Sequence, residues 1–295
     1  MNRTDRGRPI PILRCETMPT PGVAPREDVR YADSRRRALD PAREPLPTRI
    51  EDVPELPLAA VHALDAGLAS IGVDLAPAAR HAIEGHARLL LAWTTAINLT
   101  AIHDPVALAT AHIVDSLTAL PLLVSRGSDR FLDLGSGGGY PGLPLAAALP
   151  AARALLVEPV GKKARFLETA IAATGLGAIV EAAPVRAEAL AADPAHRGQW
   201  PAVTARAVAA LAELIELAFP LLAPGGSLIA WKRGDLAAEV AAAQRAIQAL
   251  GGGAIEGVPV EVPGLTGHVL VVVTRHGHVP TAYPRDPGAR RRRPW

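Results

Sequence analysis

The sequence contains one cysteine, Cys15, among 295 residues. A single thiol can form neither an internal disulfide nor a cysteine-based metal cluster, so we expect the fold to contain neither. The sequence also lacks an apolar run of the ~20 residues that a membrane span needs. The longest candidate, residues 207–223, is interrupted by Glu213 and Glu216. The start of the chain has no apolar signal region. These absences predict a cytoplasmic protein that does not associate with membranes.

Lysine is nearly absent, whereas arginine is abundant. Of 31 basic residues only Lys162, Lys163 and Lys232 are lysines. The net charge is +2 and the pI is about 9.0, and arginines are concentrated at Arg35–Arg37 and Arg290–Arg293. This asymmetry favours a polyanionic partner. The alternative is that the arginine-rich ends only aid solubility.

The chain divides into four segments by composition. Residues 1–52 are rich in Pro, Arg and Asp without apolar periodicity, which predicts a disordered extension. Residues 53–128 have helical periodicity and form a predicted N-terminal cap, with Asp74 and Asp104 as helix starts. Residues 129–275 form the predicted main domain, and residues 276–295 a basic tail.

Strands and helices alternate strictly through the main domain. Apolar runs of strand length are each followed by a helical pattern, from FLDLG at 131–135 to GSLIAWKRG at 226–234. This alternation predicts a doubly wound, mostly parallel α/β sheet of Rossmann type. The end differs, because two strand-like runs, AIEGVPVEV and HVLVVVTR, follow each other closely. We expect seven strands, with the last one antiparallel.

A glycine-rich turn follows the first predicted strand. Residues 137–142 read G-G-G-Y-P-G, which satisfies G-x-G-x-x-G, and Glu158 ends the next strand about 20 residues later. Such a turn lets a ligand approach the main chain closely at the N-terminus of a helix. A dinucleotide and S-adenosylmethionine both fit this pattern. Asp133, just before the turn, favours the second, because its carboxylate could receive the ammonium of an amino acid ligand, directly or through water.

The chain carries a series of short motifs in a fixed order. They are W-T-T-A-I-N-L-T (93–100), H-I-V-D-S-L (112–117), D-L-G-S-G-G-G-Y-P-G-L-P-L-A (133–146), V-G-K-K-A-R-F-L (160–167), V-R-A-E (185–188), A-R-A-V-A (205–209), W-K-R-G (231–234) and Y-P-R (283–285). Together they resemble those of the RsmG (GidB) family of S-adenosylmethionine-dependent methyltransferases, which modify N7 of a guanosine in small-subunit ribosomal RNA. The resemblance extends from about residue 58 to the end. Glu158 stands where the family often has Asp, and Val208 where it usually has an aromatic residue.

The resemblance implies a set of cofactor-binding residues at the ends of the predicted strands. Glu158 would hold the ribose, whereas Ala187 and Glu188, at the end of the third strand, would border the adenine. The main chain of two glycines and the ring of a tyrosine would line the cofactor, and Arg206 would lie in the shared pocket of cofactor and substrate. The implied set, with Asp133 from the argument above, is Asp133, Gly135, Gly137, Tyr140, Glu158, Ala187, Glu188 and Arg206.

Cations at the start of a predicted helix suggest where RNA binds. Lys162, Lys163 and Arg165 follow the second strand, where positive charge opposes the helix dipole, so a phosphate contact explains them better than local stability does. The alternative is a solvated helix face. Lys232, after the fifth strand, could neutralise phosphate or orient the guanine O6.

The predicted reaction needs no general base, because guanine N7 carries a lone pair and no proton. Catalysis can rest on alignment in a dry site, so the catalytic residues stay unassigned, with Arg206 and Lys232 as candidates. His112 and Asp115 share a helix face but lack a third ligand, and we expect no metal and a structural or RNA-facing role for Asn98, His112, Asp115 and Ser116.

Two other function classes remain as alternatives. A dinucleotide-dependent oxidoreductase would use the same turn, but the sequence has no Tyr-x-x-x-Lys pair. A non-catalytic RNA-binding protein would need clustered aromatics, and aromatics are 3% of the chain. The preferred hypothesis is a monomeric rRNA methyltransferase whose partner is small-subunit rRNA or a ribosomal particle.

Overall fold

The computed structural model describes residues 45–295, and Leu46–Trp295 form one compact unit. Most of the predicted extension lies outside the described residues, and with it Cys15 and Arg35–Arg37.

A seven-stranded sheet forms the centre of the structure, as the alternation predicted. Its order is β3-β2-β1-β4-β5-β7-β6. The first five strands in this order are parallel, whereas β7 pairs antiparallel with both β5 and β6. The antiparallel last strand is therefore confirmed. The strands are β1 Arg130–Leu134, β2 Arg153–Val157, β3 Val180–Ala183, β4 Trp200–Arg206, β5 Leu222–Arg233, β6 Gly252–Pro259 and β7 His268–Arg275.

Helices of the cap and the main domain pack together. Helix α2 contacts both α6 and α7, and α9 contacts both α8 and α10. The α-helices are α1 Leu58–Ser70, α2 Pro77–Thr94, α3 Pro105–Leu108, α4 Asp115–Leu117, α5 Leu120–Ser125, α6 Gly142–Ala148, α7 Gly161–Ala173, α8 Ala187–Ala192, α9 Leu211–Ala218, α10 Ala237–Leu250 and α11 Pro287–Arg292. Short 3-10 turns cover Ile50–Asp52 and Leu176–Ala178.

The predicted cap and the main domain share one hydrophobic core. Leu64 of α1, Leu89 and Leu90 of α2 and Phe166 of α7 are fully buried in the same cluster. Asp104 accepts a hydrogen bond from Ala107 N, as expected for a helix start. The prediction for Asp74 is wrong, because α2 begins at Pro77, where the fixed φ of proline suits a first helical position.

The boundary predicted at residue 52 is also wrong, because the chain is already folded there. Ile50 is buried, and the Arg88 side chain donates hydrogen bonds to the carbonyls of Ile50 (2.8 Å) and Val53 (2.5 Å). The indole of Trp93 donates to Pro47 O at 2.7 Å. Buried donors on α2 therefore fix residues 47–53, a long-range effect that composition does not encode.

Residues 105–125 form a nearly continuous helix in the core. It includes a π-helix at Ala109–Val114, and such irregular turns occur frequently at functional sites. Contrary to the prediction of no span-length segment, this helix is long and apolar enough to cross a membrane. However, half of its most apolar part is buried inside the protein, and Leu108, Ile113 and Leu117 are fully buried.

The predicted basic tail is an ordered segment that packs on α9. Glu216 is fully buried, and it accepts hydrogen bonds from the Arg285 side chain (2.6 and 2.9 Å) and from the Trp295 indole (2.7 Å). Burial raises the pKa of Glu216, but the hydrogen bonds from Arg285 and Trp295 outweigh this effect, so its pKa is below the ordinary value. Residues 276–295 are therefore part of the folded domain.

Candidate functional site

The glycine turn connects β1 to α6. Gly135, Gly137 and Gly139 have φ of +69°, +55° and +88°, which residues with a side chain rarely adopt. A Cβ at Gly137 would meet nothing closer than 3.8 Å, whereas a Cβ at Gly139 would lie 2.7 Å from the Leu143 side chain. Conformation therefore explains all three glycines, and open space in front of the turn is found at Gly137.

The turn forms one wall of a cavity of about 260 Å³. Of the predicted residues, this cavity brings together Gly135, Gly137, Tyr140, Lys163 and Arg206. The cap supplies the opposite wall, which the prediction had not included: Leu90, Leu99, Thr100 and His112. The site thus lies between the sheet edge and the cap.

A second cavity of about 150 Å³ lies on the other side of Gly135. Ala187 and Glu188, which are predicted to border the adenine, line it. Their predicted position at the end of the third strand is wrong, because β3 ends at Ala183 and both residues begin α8. Arg290, from the C-terminal segment, also lines this cavity, which the sequence did not indicate.

Glu158 fastens the turn to the end of β2. It is buried, and it accepts hydrogen bonds from Gly137 N at 3.0 Å and from Val160 N at 2.8 Å. Each carboxylate oxygen uses one of its lone pairs in this way, so both can accept a further hydrogen bond.

Asp133 lies behind the turn and not on the cavity wall. Its side chain is fully buried, and its Oδ1 accepts from the Thr204 hydroxyl at 2.8 Å. Oδ2 has no hydrogen-bond partner, and a Cβ at Gly142 would lie 2.9 Å from it. Burial raises the pKa of Asp133 to about 6, partly offset by the Thr204 hydrogen bond. The structure therefore does not support the predicted direct contact between this carboxylate and a ligand's ammonium.

Arg206, at the end of β4, is held rigidly by the cap. Its Nη1 donates to Ala111 O at 3.1 Å and to Asp115 Oδ2 at 3.0 Å. Asp115 is buried and also contacts His268 Nδ1 at 2.9 Å through its other oxygen. Charge-assisted bonds of this kind are strong in a buried setting. The guanidinium therefore has a fixed position on the cavity wall.

The same network fixes the tautomer of His112. Its Nδ1 lies 3.1 Å from Arg206 Nη2, and a guanidinium only donates, so Nδ1 is the acceptor. Nδ1 also lies 3.2 Å from Ala111 O, but an Nδ1–H would face the N–H of Arg206. Nε2 then carries the proton and donates to Thr100 Oγ1 at 2.6 Å. Because Ile102 N also donates to this oxygen, at 3.0 Å, the Thr100 hydroxyl hydrogen remains free.

Tyr140 packs within a column of aromatic and cationic groups. Its ring centroid lies 4.4 Å from that of His86 and 4.9 Å from that of His112, and the Arg206 guanidinium carbon is 5.5 Å from it. Burial lowers the pKa of both histidines to about 4, so both are neutral at physiological pH. The Tyr140 ring lines the larger cavity, and its buried hydroxyl has no hydrogen-bond partner.

The four predicted RNA-contacting cations are placed differently. Lys162 and Arg165 are exposed on α7, and Lys163 lines the larger cavity. Lys232 does not offer a free ammonium, because its Nζ bonds Glu239 Oε1 at 2.5 Å and Ala209 O at 2.9 Å. The structure therefore does not support the expected phosphate or guanine O6 contact of Lys232, or its candidacy as a catalytic residue.

The cap motifs singled out from the sequence have separate places. Ser116 donates to His112 O at 2.5 Å, and Asn98 is exposed and does not line the cavity. Within residues 45–295, no group of three or more His, Cys, Asp or Glu side chains could hold a metal ion. One sequence signal could have identified the His112–Asp115 network. Two ionisable groups lie three residues apart in an apolar helix, and such groups need partners when they are buried.

Comparisons with known proteins agree with the resemblance in the motifs. The family model for GidB, rRNA small subunit methyltransferase G, matches residues 80–260. The chain is 44% identical over 205 residues to the ribosomal RNA small subunit methyltransferase G of Roseiflexus sp. (strain RS-1), covering 70% of this chain and 87% of that protein. It is 39% identical over 223 residues to the protein of the same name from Dehalococcoides mccartyi (strain CBDB1), covering 75% and 94%.

A solved structure supports the fold. The O-methyltransferase from Bacillus cereus in complex with SAH matches with a TM-score of 0.50 and 16% identity, covering 77% of this chain and all of that one. The predicted Rossmann-like α/β fold is confirmed, and the oxidoreductase alternative is not favoured. With the family model matched over most of the chain, the protein belongs to the rRNA small subunit methyltransferase G family.

Proposed function

We propose that this protein transfers the methyl group of S-adenosylmethionine to N7 of one guanosine in small-subunit (16S) ribosomal RNA. The observation that carries the proposal is the pair of cavities that meet at Gly135, one beside the start of α8 and one between the glycine turn and the cap. Two cavities that share Gly135 as a lining residue suit a ligand with an adenosine half and an amino acid half. The names of the relatives supply the substrate class.

The residues of the two cavities fit this cofactor. The smaller cavity would take the adenine beside Ala187 and Glu188. Glu158 lines neither cavity, but it bonds Gly137 N of the larger one and would hold the ribose with its free lone pairs. In the larger cavity the main chain of Gly137 and the ring of Tyr140 would contact the amino acid half.

The chain's own residues contribute to the reaction by positioning the reacting groups. The bound cofactor supplies an electrophilic methyl group on a sulfonium centre. Guanine N7 attacks with its lone pair and has no proton to lose, so no residue acts as a base. His112 is neutral, because burial and Arg206 lower its pKa to about 4. It therefore adds no further cation to the site of the sulfonium. Alignment of the guanine and the methyl group within the cavity can supply several kcal/mol of the barrier reduction.

The larger cavity also receives the guanine, with phosphates held on the adjacent surface. Lys163 lines the cavity, and Lys162 and Arg165 are exposed on the same helix. These three cations would neutralise phosphates and make binding dependent on salt. Arg206 stands between the two ligands as a fixed donor. We propose that the protein acts in the cytoplasm as a monomer, which size-exclusion chromatography would test.

Methyl transfer to ribosomal subunits tests the proposal. Labelled S-adenosylmethionine is incubated with small subunits, or with naked 16S RNA, from a strain that lacks this protein, and N7-methylguanine is mapped by base-induced strand scission. We expect label at one guanosine. Absence of label in both substrates, from protein that binds the cofactor, would contradict the RNA assignment.

A matched pair of glycine variants locates the activity in the site. Gly137→Ala adds a methyl group in front of the turn, whereas Gly127→Ala makes the same change at φ +59° in a remote turn with no atom within 4 Å. We expect cofactor binding and transfer to be lost only in Gly137→Ala. Equal effects of both changes would mean that backbone strain, and not ligand contact, is measured.

A further inference from the structure

The run of four arginines near the C-terminus is split by the fold. Arg291, Arg292 and Arg293 are exposed, whereas the Arg290 side chain is only 10% exposed and lines the smaller cavity. A solvated tail that only attracts polyanions would leave all four exposed. Arg290 therefore has a structural partner of its own.

Each guanidinium nitrogen of Arg290 has an acceptor. Nη2 donates to Glu188 Oε1 at 2.5 Å, Nε to Glu213 Oε1 at 2.9 Å and Nη1 to Arg285 O at 2.5 Å. Three acceptors in different directions hold the planar group in one orientation. Glu188, which lines the same cavity, is thereby fixed by a residue 102 positions later in the chain.

The segment that carries Arg290 is itself firmly anchored. Arg285 bonds both oxygens of the fully buried Glu216, and its guanidinium carbon lies 4.7 Å from the ring centroid of Trp295. The Arg197 side chain donates to Tyr283 O at 3.0 Å. Because both ends of the segment are tied down, the position of Arg290 is defined by the fold and not by a mobile tail.

We infer that the C-terminal segment, residues 283–295, contributes Arg290 to the wall of the adenine half of the cofactor site, and that Arg290 positions the Glu188 carboxylate. The inference rests on the proposed function, which assigns the smaller cavity to adenine. A positioned carboxylate accepts a hydrogen bond from the exocyclic amine of adenine. It repels the carbonyl oxygen that hypoxanthine has in the same place. Arg290 thus contributes to selectivity for an adenine-containing cofactor without belonging to the methyltransferase chemistry.

Binding of two analogues by titration calorimetry tests this inference. The full-length protein, Arg290→Ala and the matched control Arg291→Ala are titrated with S-adenosylhomocysteine and S-inosylhomocysteine. We expect Arg290→Ala to bind the adenosyl compound roughly tenfold or more weakly, since a buried charged partner is lost. We also expect its preference for adenosyl over inosyl to fall roughly fivefold or more. Arg291→Ala removes the same charge from an exposed neighbour and should change neither quantity.

The outcomes separate the inference from the proposed function. If the unaltered protein does not bind S-adenosylhomocysteine, the proposed function fails. If it binds, but Arg290→Ala keeps both affinity and preference, only the inference is overturned. Equal losses in both variants would also overturn it, because they would report net charge. Tighter binding by Arg290→Ala would overturn it too, because the arginine would then occupy the adenine space.

A second variant protects the test against misfolding. Glu213→Gln weakens the anchor of Arg290 from outside the cavity, on a side chain that is 43% exposed. We expect it to fold and to reduce the adenosyl preference by less than Arg290→Ala does. An unchanged preference in Glu213→Gln, with Arg290→Ala unfolded, would overturn the positioning role.

Discussion

Removal of the Asp115 carboxylate should destabilise the protein by about 3 kcal/mol, because it leaves a buried guanidinium without its counter-charge. The side chains of Asp115 and Arg206 are 3% and 14% exposed, and the pair is 3.0 Å apart. Breaking such a pair by removing one partner typically costs about 3–5 kcal/mol. We expect the lower end, because Arg206 keeps Ala111 O and His112 Nδ1 as acceptors in Asp115→Ala.

Urea unfolding followed by tryptophan fluorescence measures this free energy. Trp231 is a suitable probe, since its indole donates to Asp115 O at 2.8 Å. The control is Glu55→Ala, which breaks the Glu55–Arg88 pair, 2.9 Å long, whose carboxylate is 81% exposed. That change should cost about 0–1 kcal/mol.

A double variant tests the cause of the Asp115 effect. Asp115→Leu with Arg206→Met replaces both charges by apolar groups, so no charge is stranded, and most of the stability should return. The reasoning is refuted if Asp115→Ala costs no more than Glu55→Ala, or if the double variant is less stable than Asp115→Ala.

Three further predictions concern the glycine turn, His112 and Asp133. Gly139→Ala should cost roughly 1–3 kcal/mol of stability, because its Cβ would lie 2.7 and 2.8 Å from two side chains. Gly137→Ala, with open space at its Cβ, should instead lose mainly cofactor affinity. Urea unfolding measures the first effect and calorimetry the second, and equal unfolding free energies of the two variants would contradict the argument. The ¹⁵N spectrum of His112 should show a neutral ring with the proton on Nε2 down to about pH 5, because burial and Arg206 lower its pKa to about 4; a protonated Nδ1 would contradict the assigned network. Burial raises the pKa of Asp133 from 3.8 to about 6, so its native state binds the proton more tightly than the unfolded chain, and its contribution to stability is present below pH 3.8 and lost as the pH rises through 6. A difference of about two in pKa corresponds to about 3 kcal/mol. The free energy of unfolding of Asp133→Asn should therefore rise by roughly that much relative to that of the unaltered protein between pH 4 and pH 8. Parallel pH profiles of the two proteins would contradict this.

The sheet could be predicted because its signals are local. Each central strand is a short apolar run, and the runs alternate with helical patterns, which leaves few topologies for a right-handed α/β unit. The same logic places Glu158 and Arg206 at one edge, since carboxyl ends of parallel strands meet there. Most of the candidate cofactor residues came from the family resemblance and not from this rule.

The cap's share of the site could not be predicted in this way. His112 reaches the cavity through a π-helix and a bond to Arg206 that joins positions 94 residues apart. The sequence around Lys232 indicates a free cation. Its partner Glu239 lies in the first turn of the next helix, where an acidic residue is common and gives no sign of a pairing. Pairing of this kind depends on how elements pack, which composition and periodicity do not specify.

The C-terminal segment is the clearest example of a sequence signal with two meanings. Glu213 and Glu216 interrupt an apolar stretch, which argues against a membrane span, and Glu216 is also fully buried. On a helix whose residues are mostly buried, a carboxylate that cannot reach water must find a cation, because an unpaired buried charge is very costly. Arginine is suited to be such a partner, and five arginines lie in the last eleven positions. The buried Glu216 therefore carries information about the tail. It bonds Arg285, and the partly exposed Glu213 bonds Arg290, which lines the smaller cavity.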